Sequence, residues 1–211
     1  MTLRVTPRVM VITDWRLPRE RLLAALERAL EVGPQVAVQH RHPEATARQF
    51  LEEARLLAGL CRARGNPLYV NGRLDVALLV GAHLHLPAAG LTPEDVRPHL
   101  PPGRQVSVAV HDEREARRAV GADLALVSPV FPPGSKPEDT RPTLGPEGFR
   151  RLAAALPCPA LALGGITPER AALLGEAAGF AVISAVLEAD DPGAATRALC
   201  TLPSPSGRGT G

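Results

Sequence analysis

The chain has 211 residues, 45% of them hydrophobic and 22% charged, with a formal net charge of +2. This composition is typical of a globular domain with a substantial core, and the balanced charge offers no basic surface for nucleic acid. No apolar run reaches the roughly 18 residues needed to span a bilayer, and the three cysteines form no CxxC pair. We therefore expect a cytoplasmic protein without membrane attachment, disulfide framework or zinc site.

Short apolar or β-branched runs alternate with longer segments of helical period, the pattern of repeated βα units around a parallel sheet. In the segment 18–32, Leu22, Leu26 and Leu30 share one helical stripe, and the segment 44–64 repeats this pattern. Eight strands are predicted, at residues 8–13, 35–39, 67–70, 83–86, 105–110, 123–127, 159–163 and 180–184.

Local signals also mark where helices begin and end. Thr92 and Thr167 each precede a proline, so each is expected to cap a helix that begins with that proline. Glycines at four helix-to-strand junctions are expected to end helices in the left-handed conformation: Gly33, Gly65, Gly81 and Gly121.

Together these elements predict an α/β fold, a single (β/α)8 TIM barrel over residues 1–201. The remaining residues, 202–211, are rich in proline, serine and glycine and are expected to form a flexible tail. Barrels of this size often associate through their outer helices, so a homo-oligomer is a possible assembly.

Functional side chains of such barrels lie at the carboxyl ends of the strands, which meet at one mouth. Gly164 and Gly165 follow the seventh strand, and Ser184 and Ala185 follow the eighth. Backbone N–H groups in these two loops commonly bind phosphate, which makes these four residues the predicted phosphate site. The alternative is that the two glycines only form a tight turn.

A series of motifs in chain order then identifies a family. They are Ile12-Thr13-Asp14, Gln39-x-Arg41, Val70-Asn71-Gly72-Arg73, His85-Leu86, Pro129-Val130-Phe131-Pro132, Gly164-Gly165-Ile166-Thr167-Pro168 and Val182-Ile183-Ser184. Over about residues 8–193 the chain resembles the thiamine phosphate synthase and thiazole tautomerase superfamily.

The resemblance to the synthases breaks down at one subsite. The synthases join a pyrimidine diphosphate to a thiazole phosphate, and their pattern implies magnesium-binding aspartates and a diphosphate-binding lysine. Here Gly72, Gly90 and Pro43 stand at those three places. Because a diphosphate leaving group needs its charge neutralised, these changes argue against that reaction.

Asn71-Gly72-Arg73 and Leu86-Pro87 are instead similar to the thiazole tautomerase branch. That resemblance implies an isomerase that aromatises a carboxythiazole phosphate by proton transfer, without metal or cofactor. We therefore predict a thiazole tautomerase. Two alternatives stay open: a thiamine phosphate synthase, and a non-catalytic barrel that binds a thiazole or thiamine phosphate in a regulatory role.

The same resemblance implies roles for individual residues. His111 matches the catalytic histidine and would carry the proton, although it could instead pack beside the fifth helix. Arg41 would pair with the substrate carboxylate. Further substrate contacts are expected from Gln39, Asn71, Ser135 and Lys136; the last is the only lysine and lies in a loop, 132–146, that could act as a lid. No metal site is predicted, since two His-x-His pairs lack obvious carboxylate partners.

Overall fold

A computed structural model of the protein describes residues 6–132, 142–175 and 177–203. Eight parallel strands form a closed barrel in chain order, and the eighth strand pairs with the first. The strands are β1 Val9–Ile12, β2 Val36–His40, β3 Leu68–Asn71, β4 His83–Leu86, β5 Val106–Val110, β6 Leu124–Val127, β7 Ala160–Leu163 and β8 Gly179–Val182. The predicted (β/α)8 barrel is confirmed, and each strand lies within two residues of its predicted bounds.

Helices surround the barrel and differ greatly in length. They are α1 Arg19–Leu30, α2 Ala47–Arg64, α3 Leu74–Val80, α4 Pro93–Val96, α5 Glu113–Arg117, α6 Gly145–Ala155, α7 Pro168–Ala171, α8 Ser184–Leu187 and α9 Pro192–Cys200, with a 3₁₀ turn at Arg97–His99. Within the described ranges, no helix is long and apolar enough to cross a membrane. Of the predicted tail, residues 204–211 lie outside the described part of the chain.

The core has two layers because alternate side chains of each strand face opposite sides of the sheet. Met10, Tyr69 and Leu124 are among the fully buried residues inside the barrel. The larger layer lies between strands and helices, where Leu22 and Leu26 of α1 pack against the barrel. The interior is therefore filled below the mouth of the barrel.

The predicted helix ends are correct at four of six positions. Thr92 and Thr167 accept a hydrogen bond from the third residue of α4 and α7, each followed by proline. Gly65 and Gly81 end α2 and α3 in the left-handed conformation.

The expectation that Gly33 and Gly121 are left-handed helix caps is wrong. Helix α1 ends at Glu31 in a right-handed conformation, and Gly33 follows a tighter turn with a φ of 136°. Helix α5 likewise ends at Arg118, so Gly121, with a φ of 82°, belongs to the turn that leads into β6. In both places additional turns separate the glycine from the last helical hydrogen bond.

Candidate active site

One cavity of about 560 Å³ opens at the carboxyl ends of the strands. Of the ten predicted site residues, eight lie within the described ranges and all eight line this cavity: Gln39, Arg41, Asn71, His111, Gly164, Gly165, Ser184 and Ala185. Ser135 and Lys136 lie outside the described residues. The topology therefore brings together residues that are up to 146 positions apart, from Gln39 to Ala185.

The end of β2 places an amide and a guanidinium in the cavity. Gln39 is almost completely buried, and its Oε1 accepts a hydrogen bond of 3.1 Å from Asn71 Nδ2. Arg41 is held through its backbone, whose N–H donates to Thr13 Oγ1 at 2.9 Å. Its guanidinium forms no salt bridge with any residue that the structure describes, so its charge is available to a bound anion.

His111, at the end of β5, is oriented by a carboxylate. Its Nδ1 lies 2.8 Å from Glu115 Oε2, which also accepts a hydrogen bond from the His111 backbone N–H at 2.7 Å. The glutamate fixes the ring, and the side chain remains partly exposed at the cavity wall. His111 therefore contacts the fifth helix through Glu115 and also lines the cavity.

His85 lies deeper and is electrically neutral. Its Nδ1 is 2.9 Å from Ser107 Oγ, and the side chain is buried. Burial, with smaller contributions from the nearby charges of Arg41 and His111, lowers the pKa of His85 to about 3. This residue can offer a hydrogen bond to a ligand but no charge.

On the opposite side of the cavity the loops after β6 and β7 are tightly interlocked. Val130 N–H donates to Leu163 O at 2.9 Å, and Phe131 N–H donates to Gly164 O at 3.0 Å. A Cβ on Gly165 would lie 2.4 Å from Pro132 O. The glycines are thus required by contact between two loops, a reason that the sequence prediction did not include.

Ser184 and Ala185 are the first two residues of α8, whereas Ser184 was predicted as the last residue of the eighth strand. The strand ends at Val182, and Ile183 connects the two elements. The N–H groups at the start of a helix have no acceptor within it. Both residues line the cavity.

Sequence reasoning left several cavity residues without a role in binding, and two of them carry ionisable side chains held by a carboxylate. His42 and Arg73 both line the cavity. Arg73 is paired with Asp75 at 2.6 Å and lies over the ring of Phe50. His42 Nδ1 lies 2.9 Å from the carboxylate oxygen Oε2 of Glu53. Glu53 is eleven residues away on α2, and no spacing rule connects it with a strand-end histidine.

Magnesium is the group that the resemblance to the synthases implies, and the described residues do not fit it. Among those that line the cavity, none is an aspartate or glutamate. Nor do the described parts of the chain contain a cluster of three histidine, cysteine or acidic residues able to hold a metal ion. We derive no step through a metal.

Comparisons with known proteins agree on one family. Residues 9–186 match the family model described as thiamine monophosphate synthase. The chain is 39% identical over 200 residues to the thiamine-phosphate synthase of Chloroflexus aurantiacus, covering 92% of each chain, and 40% identical over 199 residues to that of Roseiflexus castenholzii, covering 92% and 87%. A solved thiamine phosphate pyrophosphorylase from Pyrococcus furiosus superposes with a TM-score of 0.79 at 32% identity, covering 94% and 96%.

The comparisons confirm the superfamily and contradict the predicted reaction. The relatives are named as synthases, which are transferases, whereas a thiazole tautomerase is an isomerase. The tautomerase prediction is therefore wrong. It gave three substitutions at one subsite, at Pro43, Gly72 and Gly90, more weight than the similarity along the rest of the chain. The chain belongs to the thiamine monophosphate synthase family.

Proposed function

We propose that this protein is a thiamine-phosphate synthase, which couples a pyrimidine diphosphate to a thiazole phosphate and releases diphosphate. The identity of about 40% with proteins of that name, over nearly the whole chain, supports this activity. We also propose that it works in the cytoplasm. Self-association through the outer helices stays a prediction.

The observation that carries the proposal is the division of the cavity into two anion-binding halves. On the side of β2 to β5, the donors are charged or imidazole side chains such as Arg41 and His111. On the side of β6 to β8, the cavity is lined by glycines, hydroxyls and the start of α8, with no charged side chain among the described residues. A reaction between a diphosphate and a phosphate ester requires one cavity that binds two different anions.

We assign the thiazole phosphate to Gly164, Gly165, Ser184 and Ala185, where backbone N–H groups would bind it. Backbone donors suit a phosphate that is bound but does not react, because they are fixed before the ligand arrives. The role of Arg41 changes with the reaction: the carboxylate that it was expected to bind belongs to the tautomerase substrate. We propose that it contacts the diphosphate, as its planar fork fits a phosphate as well.

His111 also receives a different role. In the coupling reaction no proton has to move between two carbons, which was its predicted task. We propose that its Nε2, the nitrogen that Glu115 does not contact, forms a hydrogen bond with the bound pyrimidine substrate. Gln39 and Asn71, linked to each other, complete the polar wall on this side.

The proposal is tested by incubating the protein with the pyrimidine diphosphate and the thiazole phosphate in the presence of magnesium. We expect thiamine phosphate and diphosphate to appear in equal amounts, as measured by chromatography and by a phosphate assay after diphosphatase treatment. Binding of both substrates without coupling would instead support a non-catalytic barrel and would overturn the proposal.

A substitution at Arg41 should weaken binding of the diphosphate without disturbing the fold. Arg41→Met removes one guanidinium that forms no salt bridge in the described structure. We expect kcat/KM for the pyrimidine diphosphate to fall about 10- to 100-fold, the equivalent of one or two charge-assisted hydrogen bonds. Arg64→Met, an exposed arginine at the end of α2, is the matched control and should leave kcat/KM unchanged. Equal kcat/KM for Arg41→Met and wild type would remove Arg41 from the site.

A further inference from the structure

The side of the cavity assigned to the diphosphate carries cationic and imidazole groups and, within the described ranges, no carboxylate. Arg41 and Arg73 supply two positive charges there, and one of these is compensated by Asp75. A diphosphate brings more negative charge than one guanidinium balances. A further group able to bind phosphate oxygens is therefore expected in the same space, and His42 lines the cavity there without an assigned role.

His42 is held firmly on two sides. Its Nδ1 lies 2.9 Å from Glu53 Oε2, and its ring is stacked on Trp15 with a centroid distance of 5.7 Å and an interplanar angle of 8°. Glu53 is itself fixed by Gln49 Nε2 at 3.0 Å. The side chains of His42 and Glu53 are only 15% and 11% exposed. Such a ring is oriented before a ligand arrives, which reduces the entropy lost on binding.

The second histidine near Glu53 does not compete for its charge. His40 Nε2 lies 3.6 Å from Glu53 Oε2, but this ring donates to Phe50 O at 3.1 Å and accepts from Trp15 Nε1 at 3.3 Å. Burial lowers the pKa of His40 to about 4, so it is neutral near pH 7. Glu53 is the anion in contact with His42.

The other nitrogen of His42, Nε2, has no hydrogen-bond partner among the described residues. Because Glu53 holds Nδ1, Nε2 is the nitrogen left to contact a phosphate oxygen. We propose that His42, positioned by Glu53 and Trp15, binds the diphosphate group of the pyrimidine substrate through a hydrogen bond from Nε2, on a side of the cavity where no described carboxylate could hold a metal. This inference rests on the proposed function and identifies how its diphosphate is held.

The test is binding of inorganic diphosphate to the full chain in excess EDTA, measured by titration calorimetry. We expect wild type to bind, and His42→Gln to bind about 10-fold more weakly, which corresponds to about 1.4 kcal/mol. Glu53→Gln should weaken binding to a similar extent. Because Glu53 acts through His42, the double variant should be no weaker than His42→Gln alone. His99→Gln, an exposed histidine outside the cavity, is the matched control.

A second readout comes from Trp15, the only tryptophan in the chain. Since its ring is stacked on His42, its fluorescence emission should change as diphosphate saturates wild type and should respond only at higher concentrations in His42→Gln. A thermal unfolding midpoint close to that of wild type shows that a variant is folded. If His42→Gln fails this check, Glu53→Gln carries the test, because a carboxamide has the shape of the carboxylate it replaces.

The outcomes for the two proposals are distinct. Binding of diphosphate only after magnesium is added, equal affinity in wild type and His42→Gln, or binding that leaves the emission of Trp15 unchanged would overturn the assignment of His42 while coupling activity could persist. Diphosphate binding that depends on His42, in a protein that forms no thiamine phosphate, would support this assignment and overturn the proposed synthase.

Discussion

Gly165→Ala should destabilise the protein by about 3 kcal/mol and reduce coupling activity at least 100-fold. Gly165 has a φ of 59°, and an added Cβ would lie 2.4 Å from Pro132 O and 2.9 Å from Phe131 Cβ. An alanine in the left-handed region costs about 1 kcal/mol, and forcing apart packed groups costs a further 1–3 kcal/mol. The loop after β7 would have to move, and displacement of a site by about 1 Å can reduce a rate about 100-fold.

A matched glycine separates the two contributions. Gly175 has a φ of 55°, but an added Cβ would meet nothing within 4 Å. Gly175→Ala should therefore show the backbone cost alone, about 1 kcal/mol, with full activity. Urea unfolding at constant pH measures both variants. Equal losses of stability would mean that the loops after β6 and β7 can separate without cost, and would contradict the interlocked arrangement.

Gly165 also shows which features can be predicted from the sequence alone and which cannot. The pattern of βα units placed all eight strands, because the buried apolar runs of a parallel barrel have a strong and regular signature. The pair Gly164-Gly165 was correctly placed in the cavity wall. The reason for the glycines, contact with the loop after β6, depends on the packing of segments about 35 residues apart and leaves no local signal.

The site residues likewise divide into those that the sequence locates and those whose contacts depend on packing. Arg41 and His111 follow the ends of their strands in the sequence. Barrel topology alone brings those strand ends together at one mouth. The pairing of His111 with Glu115 could have been recognised, because in Asp112-x-x-Glu115 the third helical residue reaches back to the residues that precede the helix. The pairing of His42 with Glu53 could not, because it depends on where α2 packs relative to β2.

Lowering the pH from 7 to 5 should reduce the free energy of unfolding by about 5 kcal/mol, because three histidines, two of them buried and one partly buried, are neutral in the folded state. Burial is the largest cause in each case: it lowers the pKa of His40 and His83 to about 4 and that of His85 to about 3. For two of these histidines the hydrogen bonds also indicate a neutral ring. Nδ1 of His40 accepts from Trp15 Nε1, and Nδ1 of His83 accepts from the backbone N–H of Gln105.

The sign follows from proton uptake. In the unfolded chain a histidine binds a proton below a pKa of about 6.5, whereas these three remain neutral in the folded state down to about pH 4. The contribution of these histidines to the free energy of unfolding is therefore fully present above about pH 6.5. It falls as the pH decreases from there, at up to about 1.4 kcal/mol per pH unit for each histidine. Carboxylates with lowered pKa values, such as Asp14, add their own loss only at lower pH.

Urea unfolding at several pH values between 7 and 5 measures this slope. His40→Gln should reduce the slope by the contribution of one proton, whatever its effect on stability at pH 7, and the exposed His99→Gln should leave it unchanged. Since the stability of a native domain is only about 5–15 kcal/mol, a loss of this size brings the barrel close to unfolding at pH 5. A stability that is constant from pH 6.5 to 5 would show that the folded protein binds these protons, which contradicts the hydrogen-bonded arrangement of His40, His83 and His85.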